Sequence, residues 1–136
     1  MRDAEEIKEW LKKAEEDFAG ALHLQRRRTK PLPDLVCFDC QQAAEKYLKA
    51  FLILSETTFS KTHDLIALLE LSVPLQPEIE LLREPMELLN PYSVRFRYPG
   101  EESSKEDAKQ AIKATKSIIS ILREYFPSEF RPASET

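Results

Sequence analysis

Apolar side chains recur at steps of three and four residues in both the first and the last part of the chain. This spacing places them on one side of an α-helix, as a stripe that must be buried against other helices. The first stripe predicts a helix over about 4–27, and the last predicts one over about 103–126. Their members are Ile7, Leu11, Ala14, Phe18, Ala21 and Leu22, then Ala108, Ala111, Ile112, Thr115, Ile118, Ile119, Leu122 and Phe126.

Helix-start signals divide the rest of the chain. Capping boxes are expected at Asp3 with Glu6 and at Ser103 with Glu106, because an acidic residue three positions on can bond back to the cap. Asp34 is expected to cap a second helix to about residue 55, and Thr62 a short helix over 63–71. A fourth helix would begin at Pro77 and end near residue 90, with Pro85 kinking or splitting it.

The second helix has one broad apolar face and one polar side. The apolar face consists of Val36, Cys37, Cys40, Ala43, Ala44, Tyr47, Leu48, Phe51 and Leu54. Phe38 and Ile53 fall on the polar side, which suggests that part of this side meets another subunit. The remaining members of the polar side are Asp39, Gln42, Glu45, Lys46 and Lys49.

The chain has two glycines, and no segment alternates like a half-buried strand. Sheet-rich folds need glycine at turns and bulges. The sequence therefore predicts an all-α, antiparallel up-and-down bundle of four to five helices. One domain would span 1–136, with a core over about 4–126 and a frayed tail over 127–136.

Charge and hydropathy restrict the location and the partners. No run approaches the ~18 apolar residues of a membrane span, and the first ten residues are too charged for a signal peptide. A cytoplasmic protein with reduced cysteines is expected. The net charge of −4 gives no overall attraction to nucleic acid, so an RNA contact would require a local basic patch.

Cys37 and Cys40 form a C-x-x-C, the spacing of redox dithiols and of half a zinc site. A redox pair normally follows a strand, and none precedes this one. A zinc site would need two more ligands, for which only His23 and His63 exist. Both cysteines lie within the apolar stripe, which favours burial as small apolar side chains.

His63 and a later basic segment are the candidate binding residues. His63 either bonds Asp64 or caps its helix, or it contacts a ligand or phosphate. Arg95 and Arg97 alternate with Phe96 and Tyr98, which suits phosphate binding and base stacking. The alternative is an ordinary solvated helix face and an inward-packed Tyr98. The basic face of the last helix consists of Lys105, Lys109, Lys113, Lys116 and Arg123.

Nothing in the sequence predicts a catalytic residue, a metal or a cofactor. No nucleophile is paired with a base, and there is no glycine-rich phosphate loop.

Several blocks together resemble the HEPN family, from about residue 4 to 126. They are the 41–50 segment QQAAEKYLKA, the 62–65 segment THDL and the 97–99 segment RYP, with Ala14, Asp17, Phe18 and Ala21 in the first helix. The resemblance implies a small homodimeric helical bundle. It also implies a minimal nucleotidyltransferase as partner, in a two-component system of toxin–antitoxin type.

Many HEPN proteins are ribonucleases that use an Arg followed after four to six residues by His. No histidine follows Arg95 or Arg97 in this chain. The sequence therefore predicts a nucleotide- or RNA-binding protein without the usual acid–base group. Two alternatives stay open: a metal-independent ribonuclease that uses His63, and a structural adaptor without ligand. The expected binding residues are Arg95, Arg97, Tyr98, His63, Lys105 and Lys109.

Overall fold

A computed structural model describes residues 3–94 and 97–131 of the chain. Within these ranges the chain is helical and forms no strand, which confirms the predicted all-α bundle. Three short 3-10 segments accompany five α-helices. The helices are α1 (Ala4–Gln25), α2 (Pro33–Leu54), α3 (Leu65–Ser72), α4 (Arg83–Leu89) and α5 (Lys105–Arg123), and the 3-10 segments are Pro77–Leu82, Asn90–Ser93 and Ser128–Phe130.

The second helix, α2, lies at the centre of the bundle and packs against α1, α3 and α5. Its predicted apolar face is buried apart from Leu54, which is half-buried. The prediction that the opposite, polar side of α2 faces solvent is wrong in part, because Glu45 and Lys49 on that side are buried as well. Ile53 packs partly against the core and Phe38 is half-buried, so a subunit contact there stays a prediction.

The long helices differ in direction around α2. α1 is antiparallel to α2, since Asp17 near its end pairs with Lys46 and Trp10 near its start lies by Lys49. α5 runs parallel to α2. At the common starting end the Ser103 N–H donates to Asp34, and at the other end the Tyr47 and Phe126 rings are 6.2 Å apart. The chain between α2 and α5 therefore returns along the bundle before α5 begins.

None of the four expected caps forms as predicted. Asp3 precedes α1 without a side-chain capping bond, and Leu32 rather than Asp34 precedes α2. Asp64, rather than Thr62, caps α3 by accepting from Ile66 and Ala67, so His63 lies before that helix. The capping box of α5 is shifted by one residue, to Ser104 and Asp107.

The two prolines of the fourth predicted helix divide it as expected, but the break precedes Pro85. Pro77 begins a 3-10 segment, and α4 starts at Arg83. Pro85 then lies in the first turn of α4, where its missing N–H would have no partner within the helix.

The chain continues to pack after α5 ends. Phe126 is 1% exposed and meets Tyr47 edge to face, and Phe130 in the last 3-10 segment is also buried. Residues 132–136 of the expected tail lie outside the described residues. None of the helices described here is both long and apolar enough to span a bilayer.

Candidate functional site

Three polar residues form a buried stripe on one face of α2, which we call the polar stripe: Gln41, Glu45 and Lys49. They are four residues apart, so they stack along the helix. Lys49 donates to Glu45 Oε2 at 2.9 Å, and Gln41 donates to Oε1 at 3.3 Å. Lys49 also lies 5.7 Å from the centroid of the Trp10 ring. The carboxylate of Glu45 is thus buried but fully engaged.

His63 is the fourth group on this carboxylate. Its Nδ1 lies 3.0 and 3.1 Å from the two oxygens of Glu45, and its carbonyl accepts from Gln41 at 3.0 Å. A carboxylate can only accept, so Nδ1 carries the proton and donates. The side chain of His63 is 70% exposed. The buried carboxylate therefore orients an imidazole whose other nitrogen, Nε2, is available to a ligand. The prediction that His63 bonds Asp64 is wrong, because the His63 ring bonds Glu45 instead.

Asn90 connects the two residues that follow His63 to the loop after α4. Its Oδ1 accepts from the Leu65 N–H at 2.8 Å, and its Nδ2 donates to Asp64 at 3.0 Å. This bond, with the two capping N–H groups of α3, lowers the pKa of Asp64. The start of α3 and the end of α4 are thus joined beside His63.

Arg97 is held at the same end by the residues after Asn90. Its Nη2 donates to the Pro91 carbonyl at 3.0 Å, and its guanidinium carbon lies 5.1 Å from the centroid of the Tyr92 ring. Its other N–H groups have no acceptor among the described residues. Arg97 is therefore oriented but still able to bind an anion. We call His63, Asp64, Asn90, Pro91 and Arg97 the loop corner.

The remaining predicted binding residues are located as follows. Tyr98 is 68% exposed, and the ring that contacts Arg97 is that of Tyr92 instead. Lys105 and Lys109 are exposed at the start of α5, without a described contact to the loop corner. Arg95 lies outside the described residues, as does Phe96.

Tyr92 connects Arg97 to the buried cysteines. Burial raises the pKa of Tyr92 to about 12; the neighbouring Asp107 and, at high pH, the Cys37 thiolate add to this, and Arg97 opposes it. Burial likewise raises the pKa of the Cys37 thiol, and that of Cys40 to about 12. Both thiols are free and fully buried. They pack as apolar side chains, as predicted, and are protonated at neutral pH.

The sequence indicated His63 and Arg97 but missed Gln41, Glu45, Lys49 and Asn90 as parts of one network. Four-residue steps of polar residues within a mainly apolar helix were the available signal. Asp64, Asn90 and Pro91 link an exposed imidazole, His63, to an oriented guanidinium, Arg97, and each of the two groups can bind a phosphate by charge-assisted hydrogen bonds.

Comparisons with known proteins agree with the fold. The HEPN domain family matches residues 7–125. A protein of Methanocaldococcus jannaschii named "Putative toxin MJ1304" is 28% identical over 137 aligned positions, which cover 89% of this chain and 88% of that protein. No solved structure matches the chain significantly.

Proposed function

Since this chain belongs to the HEPN domain family, we propose that it is a toxin-like HEPN protein that binds the phosphate of a nucleotide or RNA at the loop corner. A minimal nucleotidyltransferase is its proposed partner in a two-component system, with the HEPN protein acting as a homodimer. The name of the relative from Methanocaldococcus jannaschii supports the toxin-like part. The family resemblance supports the partner, and a nucleotidyltransferase gene beside this one would support it further.

Arg97 is the observation that carries the binding proposal. The Pro91 carbonyl and the Tyr92 ring limit the positions of its guanidinium, so less side-chain freedom is lost when a phosphate binds. Arg also presents several N–H donors in a fixed plane. His63, joined to the same corner through Asp64 and Asn90, adds a second donor when it is protonated.

We expect Arg97→Ala to weaken binding of labelled ATP by at least tenfold. Losing a hydrogen bond between charged groups costs about 1.5–3 kcal/mol. The salt dependence should also fall, because fewer phosphate contacts make binding less sensitive to salt. Fluorescence anisotropy titrations at two salt concentrations measure both quantities.

The control for this variant is Lys13→Ala, which removes one positive charge from an exposed position on α1. It should bind as the parent does. Equal affinities for the parent and Arg97→Ala would show that the loop corner is not the phosphate site.

A second function, metal-independent RNA cleavage, is favoured by the contact between His63 and Glu45. A general base is usually oriented by a third group, and here a buried carboxylate bonds Nδ1. Nε2 can then take the proton of the ribose 2′-hydroxyl, whose oxygen attacks the adjacent phosphorus as the P–O5′ bond breaks. The imidazolium returns this proton to the leaving O5′ oxygen, and Arg97 would bind the phosphate oxygens. This arrangement would replace the missing histidine after the arginines.

If the protein cleaves RNA, His63→Ala should reduce the rate by about 10²–10⁴-fold, the usual contribution of a general acid or base. Degradation of a labelled RNA by purified protein, and growth arrest on overexpression, measure this. Lys13→Ala, at an exposed position on α1, should retain the parent rate. An inactive parent, or an active His63→Ala, would exclude this mechanism.

A further inference from the structure

A second charged groove runs along α1, outside the loop corner. It has a volume of about 1060 Å³ and lies between α1, the end of α5 and the last 3-10 segment. Its cationic residues on α1 follow helical spacing and so form one stripe. The five cations that line it are Lys8, Lys12, Arg26, Arg123 and Arg131.

The cations on α1 have no protein partner in the described part of the structure. Lys8, Lys12 and Arg26 are exposed, and none forms an ion pair with a described residue. Exposed helix lysines commonly pair with a carboxylate four residues away, as Lys13 does with Glu9. The groove thus carries free positive charge in a chain whose net charge is −4.

The carboxylates of the groove offset only part of this charge. Three glutamates line it, Glu15, Glu16 and Glu129, against five cations. Glu15 is already engaged, since it accepts from the Tyr47 hydroxyl and from Arg123 Nη2. The groove therefore has an excess of positive charge, which favours an anionic ligand.

Arg123 supplies a second, independent observation at this groove. Its Nε is buried and has no hydrogen-bond acceptor among the described residues. Buried N–H groups almost always have one. An anion that drew the guanidinium outward from Glu15 would supply this acceptor. The neighbouring Arg131 is held by its bond to the Phe126 carbonyl at 2.9 Å.

The shape of the groove selects among anions. From Lys8 to Arg26 the helix extends about 27 Å, which is longer than a mononucleotide needs. Phe18 and Phe130 provide apolar wall beside the cations. A positively charged groove with aromatic side chains suits a single nucleic-acid strand. We infer that this groove binds the phosphate backbone of single-stranded RNA, independently of the loop corner.

The test compares the parent with the triple variant Lys8→Ala, Lys12→Ala, Arg26→Ala. The probe is a fluorescein-labelled 12-nucleotide oligouridylate, titrated by anisotropy between 50 and 200 mM salt. Removing three phosphate contacts should reduce the salt slope by about 2 and weaken binding by at least tenfold at 100 mM salt. If the triple variant does not melt cooperatively, Lys12→Glu alone should weaken binding at least threefold.

A charge-matched control carries Lys13→Ala, Lys30→Ala and Lys61→Ala at exposed positions outside both the groove and the basic face of α5. It should keep most of the affinity. An equal loss in the control, an unchanged groove variant, or a parent that prefers polyglutamate to the oligouridylate would each overturn the inference. Arg97→Ala titrated with labelled ATP, which is too short to span the groove, tests the loop corner separately, so either site can fail without the other.

Discussion

Replacing Glu45 by alanine should lower the free energy of unfolding by about 3–5 kcal/mol. The side chains of Glu45 and Lys49 are 4% and 9% exposed, and they pair at 2.9 Å. Removing one partner of a buried ion pair leaves the other charge buried without compensation. Lys49 would keep only the Trp10 ring, and Gln41 and His63 would each lose an acceptor.

Urea denaturation followed by circular dichroism measures this effect. Glu9→Ala is the control, because Glu9 forms an exposed pair with Lys13 on α1, and such pairs contribute about 0.3–0.5 kcal/mol. If Glu45→Ala does not fold, Glu45→Gln keeps the shape and still removes the charge. A loss below 1 kcal/mol in both variants would contradict a buried, fully engaged carboxylate.

Phe126→Ala is expected to have a similar effect, a loss of about 3–5 kcal/mol. Phe126 follows the end of α5 but is 1% exposed, and its ring meets that of Tyr47 at an interplanar angle of 70°. The substitution removes both this edge-to-face contact and a large buried surface. It would show that the short segment after α5 belongs to the core.

Urea denaturation also measures the stability loss of Phe126→Ala, with Leu81→Ala as the control. Leu81 is 70% exposed, so its truncation should change the stability by less than about 0.5 kcal/mol. A Phe126→Ala protein within 1 kcal/mol of the parent would mean that the end of α5 is not packed as described.

The outer helices were predictable because each buries a single face. The 3.6-residue stripes of α1 and α5 identify members that are indeed buried, such as Leu11 and Ile118. The local periodicity of apolar residues is sufficient to predict the buried face of a helix when one side contacts protein and the other contacts water.

The central helix was not predictable in this way, because it meets protein on nearly every side. Charged residues are rarely buried unless they are paired. Sequence alone therefore assigns Glu45 and Lys49 to the solvent side. Their partners outside α2 come from distant parts of the chain: His63, 18 residues after Glu45, bonds its carboxylate, and the Trp10 ring of α1 lies beside Lys49. Both contacts depend on tertiary structure.

The shifted cap of α5 has a similar cause. Ser103 and Ser104 both have an acidic residue three positions on, so the sequence offers two overlapping capping boxes. The Ser103 N–H bonds Asp34 in α2 at 2.7 Å. Ser104 then caps the helix with Asp107. A contact from another helix thus decides between two locally equivalent caps.

The parallel course of α2 and α5 has a consequence for how this protein can change its length. Both helices start at the same end of the bundle, so residues 55–104 must run from the end of α2 back to the level of its start. The two ends of this segment are fixed by α2 and α5. An insertion in the exposed loop before α3 can bulge outward without moving either end. A deletion between Pro91 and Ser103 would instead shorten the connection to α5 and displace its first turn. We therefore expect insertions and deletions among related sequences to occur mainly in the loop before α3.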